Sequence, residues 1–478
     1  MKILLISASI EAESREPTIQ TNSHYPLGLG YIHSYLEEFG HTVKLLFLND
    51  YSYEKSSEII IESLREFSPD VVGFQVITHN RVNSFQNIEY IHEFFPNIQI
   101  VIGGVHPTLM YEQILNKYSY LTAVIGEGEF TFQELISAFE NNSDLSNIDG
   151  IAFYDFEHKR LIKTKNRELI QDLNSLPFPK HEDFFNNKRK TAGLLTSRGC
   201  PHRCSFCVLD VVSKRKVRFR SVENVILEIE HLVASFNTLD TIWIHDDSFL
   251  LDNQRAINLC NEIVKRNIKL KFVCSTRFKP ISKEVVEALE KAGFELVLLG
   301  LESGSAKILK SCHKGITKKD AEETYRLFAA SSIDTVCFII VGLYGEDDDT
   351  ISETIQFIQK LQKIKYTFFD DIGVLAIYPG TEIYDIAKEN GFISDEYWMT
   401  DKSVPLFTVE HSSDKLMEYK EIVRDHISLK RLKTIKGFKA QLPLVPYIIL
   451  WRVKQRIEKT RRRLKRRSKF ILSKISNW

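Results

Sequence analysis

The chain has few of the features that would mark it as secreted, membrane-embedded or disordered. A long apolar h-region and a small-residue cleavage site are missing from its N-terminus, where Met1-Lys2-Ile3-Leu4-Leu5-Ile6 runs straight into a strand pattern, so the expectation is a cytoplasmic protein. The apolar piece at residues 442–450 is too short to span a bilayer and holds two prolines. Seven cysteines, an odd number with three in one cluster, do not make a disulfide framework and agree with a reducing compartment. Hydrophobic residues at 43% and charged residues at 26% are ordinary globular values, and 478 residues suffice for two or three domains. An excess of charge is missing too, but the formal net charge of zero hides an asymmetry. From residue 430 onward there are 17 Lys or Arg and one acid, Glu458, a net of +16 that leaves −16 for the body. The tail therefore reads as a separate functional unit.

What is present is organised around Cys200-Pro201-His202-Arg203-Cys204-Ser205-Phe206-Cys207. Cysteines at C-x3-C-x2-C spacing bring three thiolates to one face of a compact inorganic centre, and thiolates are the ligands of iron–sulfur clusters. Three rather than four leave one iron of a four-iron cluster open, as open catalytic metal sites differ from closed structural ones. By themselves these residues also admit a structural zinc, with His202 or a distant cysteine as fourth ligand, or three unrelated thiols. The stretch resembles the signature of the radical S-adenosylmethionine (SAM) enzymes, with Phe206 in the aromatic place before the last cysteine. The resemblance implies a 4Fe-4S cluster on Cys200, Cys204 and Cys207 whose open iron binds the amino and carboxylate groups of SAM.

Residues 1–150 alternate β-type runs, at 3–7, 42–47, 71–76, 98–102 and 122–125, with amphipathic helical patterns. Short strands joined by helices predict a doubly wound parallel sheet of flavodoxin-like or Rossmann-like type, because parallel neighbours need crossover connections. Such sheets bind ligands beyond the carboxyl ends of their strands, and the unusual residues fall there. A polar stretch at 10–23 leads into Tyr25-Pro26-Leu27-Gly28-Leu29-Gly30; then come Gly103-Gly104-Val105-His106-Pro107-Thr108 and Gly126-Glu127-Gly128-Glu129. Glycines at such an edge let backbone approach a bulky ligand. The fold alone leaves a nucleotide, a flavin or no ligand open, and His24, His79 and His106 read as hydrogen-bonding loop residues. The segments resemble the cobalamin-binding domain at the N-terminus of one radical SAM subclass, which implies cobalamin contacts from Gly103, Gly104, His106 and Glu127. The Asp-x-His-x-x-Gly motif that supplies the lower cobalt ligand in many cobalamin proteins is missing. The resemblance then implies a cobalamin with its own base displaced and no protein histidine under the cobalt, with Thr78 near that face.

Residues 151–190 hold the proline-punctuated Asp172-Leu173-Asn174-Ser175-Leu176-Pro177-Phe178-Pro179, which disfavours helix and reads as a linker. From 191 to 400 the βα rhythm resumes, with strand patterns at 193–197, 241–245, 271–275, 296–301, 335–341 and 372–377. Six units are too few for a closed eightfold barrel, and the resemblance implies a partial (βα)6 barrel of TIM type. Chemistry in barrel-like sheets gathers at the C-terminal strand ends, which here carry Asp246-Asp247, Arg277 and Glu302-Ser303. A carboxylate suits an ammonium and a guanidinium suits a carboxylate, although the paired acids would equally cap a helix. The resemblance implies that Asp246 and Asp247 receive the SAM ammonium, Arg277 its carboxylate, and Glu302, with Ser303 beside it, the ribose hydroxyls. Cys260, Cys274 and Cys337 read as buried, inert thiols and Cys312 as a loop residue. Residues 401–429 read as an accessory helical segment, and Tyr397, Trp398 and Phe407 as substrate contacts or core aromatics.

In the basic helical tail, residues 430–478, Trp451 and dense Lys/Arg follow the apolar piece. The combination suits docking on an anionic membrane surface at the inner face of the membrane. RNA, whose phosphates the same charges would neutralise, is the less favoured nucleic-acid rival; a solvated tail resting on the acidic body is the plain alternative. Residues 1–400 together resemble cobalamin-binding radical SAM enzymes. That implies an electron donor such as flavodoxin or ferredoxin, a 5′-deoxyadenosyl radical that takes hydrogen from an unactivated carbon, and methylcobalamin as methyl donor. The same architecture admits cyclisation or rearrangement without methyl transfer, and a non-catalytic membrane-associated iron–sulfur or cobalamin sensor is the reading from another class. A membrane-docking tail favours a lipid-like small molecule as substrate.

Overall fold

The computed structural model describes residues 1–10, 25–182, 184, 190–365 and 372–431. Most of the polar loop expected at 10–23, His24 and the basic tail past residue 431 lie outside the described residues. Both large sheets lie in one unit, Met1–Glu421, and a second unit runs from Ile422 onward.

In the first sheet β1 (Lys2–Ser7), β2 (Thr42–Phe47), β3 (Val71–Gln75), β4 (Gln99–Gly103) and β5 (Thr122–Val124) are parallel. The connecting helices are α1 (Leu27–Glu38), α2 (Tyr53–Phe67), α3 (Arg81–Phe94) and α4 (Val105–Lys117), with α5 (Glu129–Asn141) after the fifth strand. The order β2-β1-β3-β4-β5 is the flavodoxin-like one, whose ligand crevice opens where the winding reverses, between β1 and β3. The residues of β1 show why the layers form. Ile3 and Leu5 join one buried apolar cluster and Leu4 and Ile6 the other, so the strand is covered on both faces, as a parallel sheet requires. Local signals set the helix ends: α2 begins where the Ser52 hydroxyl accepts a hydrogen bond from the amide of Lys55 at 3.3 Å.

This sheet does not stop at residue 150. Residues expected as linker form β6 (Ile151–Asp155) and β7 (Arg160–Lys163), which extend it antiparallel from β5. A hairpin needs only a short turn, and its few residues offer little periodicity to recognise. The irregular connection begins at residue 164.

The second sheet is the partial barrel. After β8 (Thr191–Leu194), a short ladder of β9 (Ser197–Arg198) and β10 (Arg218–Phe219) brackets the cysteine loop and α6 (Leu209–Val212). Then come α7 (Val222–Ser235), β11 (Thr241–Ile244), α8 (Asn253–Lys265), β12 (Lys271–Thr276), α9 (Lys283–Ala292), β13 (Phe294–Glu302), α10 (Ala306–Ser311) and α11 (Lys318–Ala329). β14 (Asp334–Val341), α12 (Asp348–Ile364), β15 (Ile372–Val374), α13 (Glu382–Glu389) and α14 (Ser413–Arg431) complete it. Its six parallel strands, β8 and β11 to β15, lie side by side in chain order.

The two sheets share a core. Ile377, Tyr384 and Trp398 belong to the same buried cluster as Leu4, Val72 and Ile102 of the first sheet. Trp398 is wholly buried, with the Arg81 guanidinium over its ring at 5.3 Å. Arg81 also donates to the carbonyls of Thr78, Trp398 and Thr400 at 3.0, 3.3 and 3.3 Å. Trp398 is therefore core rather than a substrate contact, and Tyr397 and Phe407 pack against the same cluster. Cys312, expected in a loop, ends α10 with no solvent exposure. No helix among the described residues is long and apolar enough to cross a membrane.

Candidate active site

The cysteine loop leaves β9 through Gly199, whose φ of +98° is in the left-handed region. A Cβ there would also collide with the carbonyl of Lys216, so glycine is required twice over. The Gly199 amide donates to Oδ2 of Asp247 at 2.9 Å, which fixes where the loop starts. Within the loop the Cys207 amide donates to the Cys204 carbonyl at 2.9 Å. On either side of Ser205, its amide donates to Cys312 O and its carbonyl accepts from the Ile383 amide, both at 3.2 Å.

Cys200 and Cys204 are buried and Cys207 is half-buried. Burial pushes the Cys207 thiol up to about 11, and the neighbouring Cys204 and Cys200 add to the shift. Burial likewise raises Cys200. The charges of the neighbouring sulfurs act on Cys207, and among the described residues no group of three His, Cys, Asp or Glu is arranged to hold a single metal ion. Cysteine thiols are the ligand type of iron–sulfur groups, whose positive irons would hold them as thiolates.

Arg277, at the end of β12, is buried and donates from Nη1 to the Cys204 sulfur at 3.3 Å. Its Nη2 is buried without a hydrogen-bond partner among the described residues. A buried guanidinium nitrogen without an acceptor is costly unless an anion reaches it. His202 is held down to about 4 by burial and by the charges of Arg277 and Lys314, so it is a neutral imidazole at physiological pH.

The expected acids divide. Asp246 is buried and engaged within the protein: it accepts from the Thr196 amide, the Thr196 hydroxyl and the Ser197 hydroxyl at 2.6, 2.5 and 2.6 Å. These bonds hold the strand that leads into the cysteine loop and take up most of its acceptor capacity. Asp247 is exposed, and its carboxyl is nonetheless raised, mainly by the surrounding walls that withdraw water. Glu302, with φ at +69°, is buried and accepts from Lys314 Nζ at 2.7 Å. A Cβ on Gly300 would lie 2.7 Å from the Glu302 carboxylate and 2.8 Å from Lys314 Nζ, so that glycine makes room for the ion pair. Lys314 was not anticipated; the glycine inside an apolar strand was the available sign of a close approach. Ser303 has no exposure and bonds with the Thr354 hydroxyl at 3.0 Å, so it anchors α12 rather than a ligand.

At the first sheet's carboxyl edge the motif residues serve mostly the fold. Glu127 accepts from Arg198 at 3.1 Å, Arg218 at 2.7 Å and the Ile170 amide at 2.8 Å, while Glu129 accepts from Arg198 at 2.7 Å. Burial alone would raise Glu127, but the Arg218 hydrogen bond and both guanidinium charges hold it below the usual range. The Gly-Glu-x-Glu segment therefore ties the first sheet to the strand bearing the cysteine loop, a correction to the cobalamin contact expected of Glu127. Gly104 is dictated by φ of +104° and by the Val76 carbonyl, 2.8 Å from where a Cβ would sit. Gly103 meets only ordinary contacts. His106 lies in α4, not a loop; it is wholly buried, and burial together with Arg81 holds it down to about 3. Its Nδ1 lies 3.3 Å from the Thr78 hydroxyl and its Nε2 has no partner. His79 is 2.7 Å from the Tyr378 hydroxyl, across the join of the two sheets. Neither of these histidines is presented as an open metal ligand. The buried Nε2 of His106, beside Thr78, leaves polar capacity at this edge for a ligand.

A family model described as the radical SAM superfamily matches residues 194–358, and one described as a B12 binding domain matches residues 21–136. An uncharacterized methyltransferase of Pyrococcus horikoshii is 29% identical, covering 86% of this chain and 88% of its own. An anaerobic magnesium-protoporphyrin IX monomethyl ester cyclase of Synechocystis is 30% identical, covering 82% of this chain and 78% of its own. Among solved structures, the radical SAM methyltransferase TsrM of Kitasatospora setae, with cobalamin and a 4Fe-4S cluster bound, has a TM-score of 0.67 at 21% identity. That likeness of fold spans 81% of this chain and 78% of TsrM.

Proposed function

Because the chain belongs to the radical SAM enzymes that carry a cobalamin-binding domain, we propose that it methylates an unactivated carbon of a small molecule. Its cofactors are a 4Fe-4S cluster, SAM and cobalamin. When bound, the cluster and SAM supply a carbon radical that abstracts hydrogen, and cobalamin supplies the methyl group. Residues 1–163 form the cobalamin-binding part and 191–400 the radical SAM barrel.

Cys200, Cys204 and Cys207 hold the cluster, with Phe206, packed against the apolar cluster of Ile308, Cys312 and Leu343, beside the last of them. Arg277 takes the SAM carboxylate on its unpaired nitrogen, and Asp247, in place of Asp246, takes the ammonium. Glu302, oriented by Lys314, takes the ribose hydroxyls. Thr78, Gly103, Gly104 and His106 lie along the edge that receives cobalamin. The observation that carries this reading is Arg277, which touches a cluster cysteine and keeps a second buried donor for an anion.

Anaerobic reconstitution tests it. Enzyme supplied with iron, sulfide, cobalamin and a reductant should convert SAM to both 5′-deoxyadenosine and S-adenosylhomocysteine, the second reporting methyl transfer. 5′-Deoxyadenosine without S-adenosylhomocysteine would favour cyclisation or rearrangement, a reading supported by the 30% identity to the cyclase. For the tail beyond the described residues the assignment is an anionic membrane surface and a hydrophobic substrate; flotation with anionic liposomes that is unchanged by ending the chain at residue 429 would remove it.

A further inference from the structure

A groove of about 800 Å³ has Pro201, His202 and Arg203 of the cysteine loop on one side, and α10, His313, residues 315–317 and the start of α11 on the other. Its ionisable lining is of one sign. Arg203, Arg215, Lys310, Lys318 and Lys319 contribute five cations, His202 and His313 add imidazoles, and no carboxylate lines it. Arg203, Arg215, Lys310 and Lys319 are exposed, and Lys214 and Lys216 flank Arg215 with two more exposed cations.

Nearby acids neutralise little of this. Glu382 approaches His313 at 3.2 Å and Glu323 approaches Lys319 at 3.7 Å, both in exposed pairs of the weak kind. Arg203, Arg215 and Lys310 form no ion pair among the described residues. The body outside the tail carries −16, so a concave, one-signed positive patch runs against the rest of its surface. Like charges around a concavity focus a field that draws an anionic partner and raises its rate of encounter.

We propose that this groove docks an acidic one-electron carrier protein of the flavodoxin or ferredoxin kind, which reduces the cluster on the cysteine loop. The inference rests on the radical SAM reading above. One electron leaves the reduced carrier and enters the cluster; no bond is made or broken and no group is transferred. The loop is the common wall, since Pro201, His202 and Arg203 line the groove while the cysteines flanking them, Cys200 and Cys204, hold the cluster. A carrier seated there is separated from the thiols by the thickness of that loop. The contact is with charged side-chain ends, so it is reversible and salt-sensitive, as an electron-delivery encounter must be.

The test uses the full-length, reconstituted holoenzyme and a variant carrying Arg215→Glu, Lys310→Glu and Lys319→Glu. Binding of oxidised flavodoxin is measured by calorimetry, oxidation of reduced flavodoxin by stopped flow at several salt concentrations, and 5′-deoxyadenosine formation with dithionite, which needs no docking. The expected result is a fall of about tenfold or more in affinity and second-order rate, with a flatter salt dependence, while dithionite-driven cleavage stays at the wild-type level. Unchanged carrier affinity and rate would overturn the proposal. So would an equal loss with dithionite, which would place the groove in the SAM site, or a loss of RNA or anionic-vesicle binding with carrier kinetics intact. If wild-type enzyme makes no 5′-deoxyadenosine with dithionite, the radical SAM reading fails, and the calorimetry still decides whether the groove binds the carrier.

Discussion

At the carboxyl edge of the second sheet, Arg277 keeps a buried nitrogen without an acceptor; at the edge of the first, Glu127 receives Arg198, Arg218 and the Ile170 amide. Both residues are charged, both stand just past a strand, and both sit in stretches that resemble cofactor motifs. They differ in what the neighbouring elements bring. β9 and β10 supply two guanidinium groups to Glu127, so its charge is compensated within the protein. Among the described residues Arg277 finds only a cysteine sulfur, so its second nitrogen is left for something bound. A motif thus places a residue at an edge, while the supply of partners decides whether it serves the fold or a ligand.

The largest effect that would sharpen this contrast is at the sulfurs. Changing Cys200, Cys204 and Cys207 together to Ala should abolish 5′-deoxyadenosine formation and the cluster's visible absorbance, and retained SAM cleavage would refute the site. Arg277→Ala should come next, weakening SAM binding about 10- to 100-fold, the value of a charge-assisted hydrogen bond, with cluster absorbance retained. Isothermal titration of the reconstituted protein reads this directly; unaltered affinity would move Arg277 to the structural side.

Glu127→Ala should do the reverse. Breaking a buried ion pair from one side costs about 3 kcal/mol, so the melting temperature should fall by several degrees while cobalamin affinity changes little. A selective loss of cobalamin binding at unchanged melting temperature would reverse the assignment. The smallest effect concerns Glu346, a buried acid whose carboxyl is raised to about 7 by burial, with the charges of Asp347 and Glu410 adding to the shift, despite a hydrogen bond from the Gly342 amide. The folded protein then keeps a proton that the unfolded chain releases near 4.5. Stability from this group is complete below about pH 4.5 and is lost as pH rises towards 7, by at most about 3 kcal/mol. Denaturant titrations across that window should show the fall, and Glu346→Gln should flatten it.

Much of the fold was legible in order. The alternation of β-type runs with helical patterns reappears as strands and helices in the same order, because such patterns are local properties of the chain. The hairpin of β6 and β7 was not legible, because four or five residues against a sheet edge carry too little pattern. The candidate site stood out in the sequence at its cysteines and Arg277, whose chemistry is unusual in itself. The hydrogen bonds of Asp246 were not legible, because an acid past a strand looks the same whether Thr196 and Ser197 turn their hydroxyls to it or not. Lys314 was missed because its partner, Glu302, lies twelve residues away.

The sequence by itself determined the order of strands and helices, the three-thiol loop, and the separation of a basic tail from an acidic body. These depend on spacing and residue chemistry along one chain. The tertiary structure alone decided which charged residues remain available: Glu127 and Asp246 became scaffold, Asp247 stayed exposed, and Arg277 kept a donor in hand. The physical reason is that a buried charge must be compensated by whatever group lies beside it in space, and those groups come from distant parts of the chain.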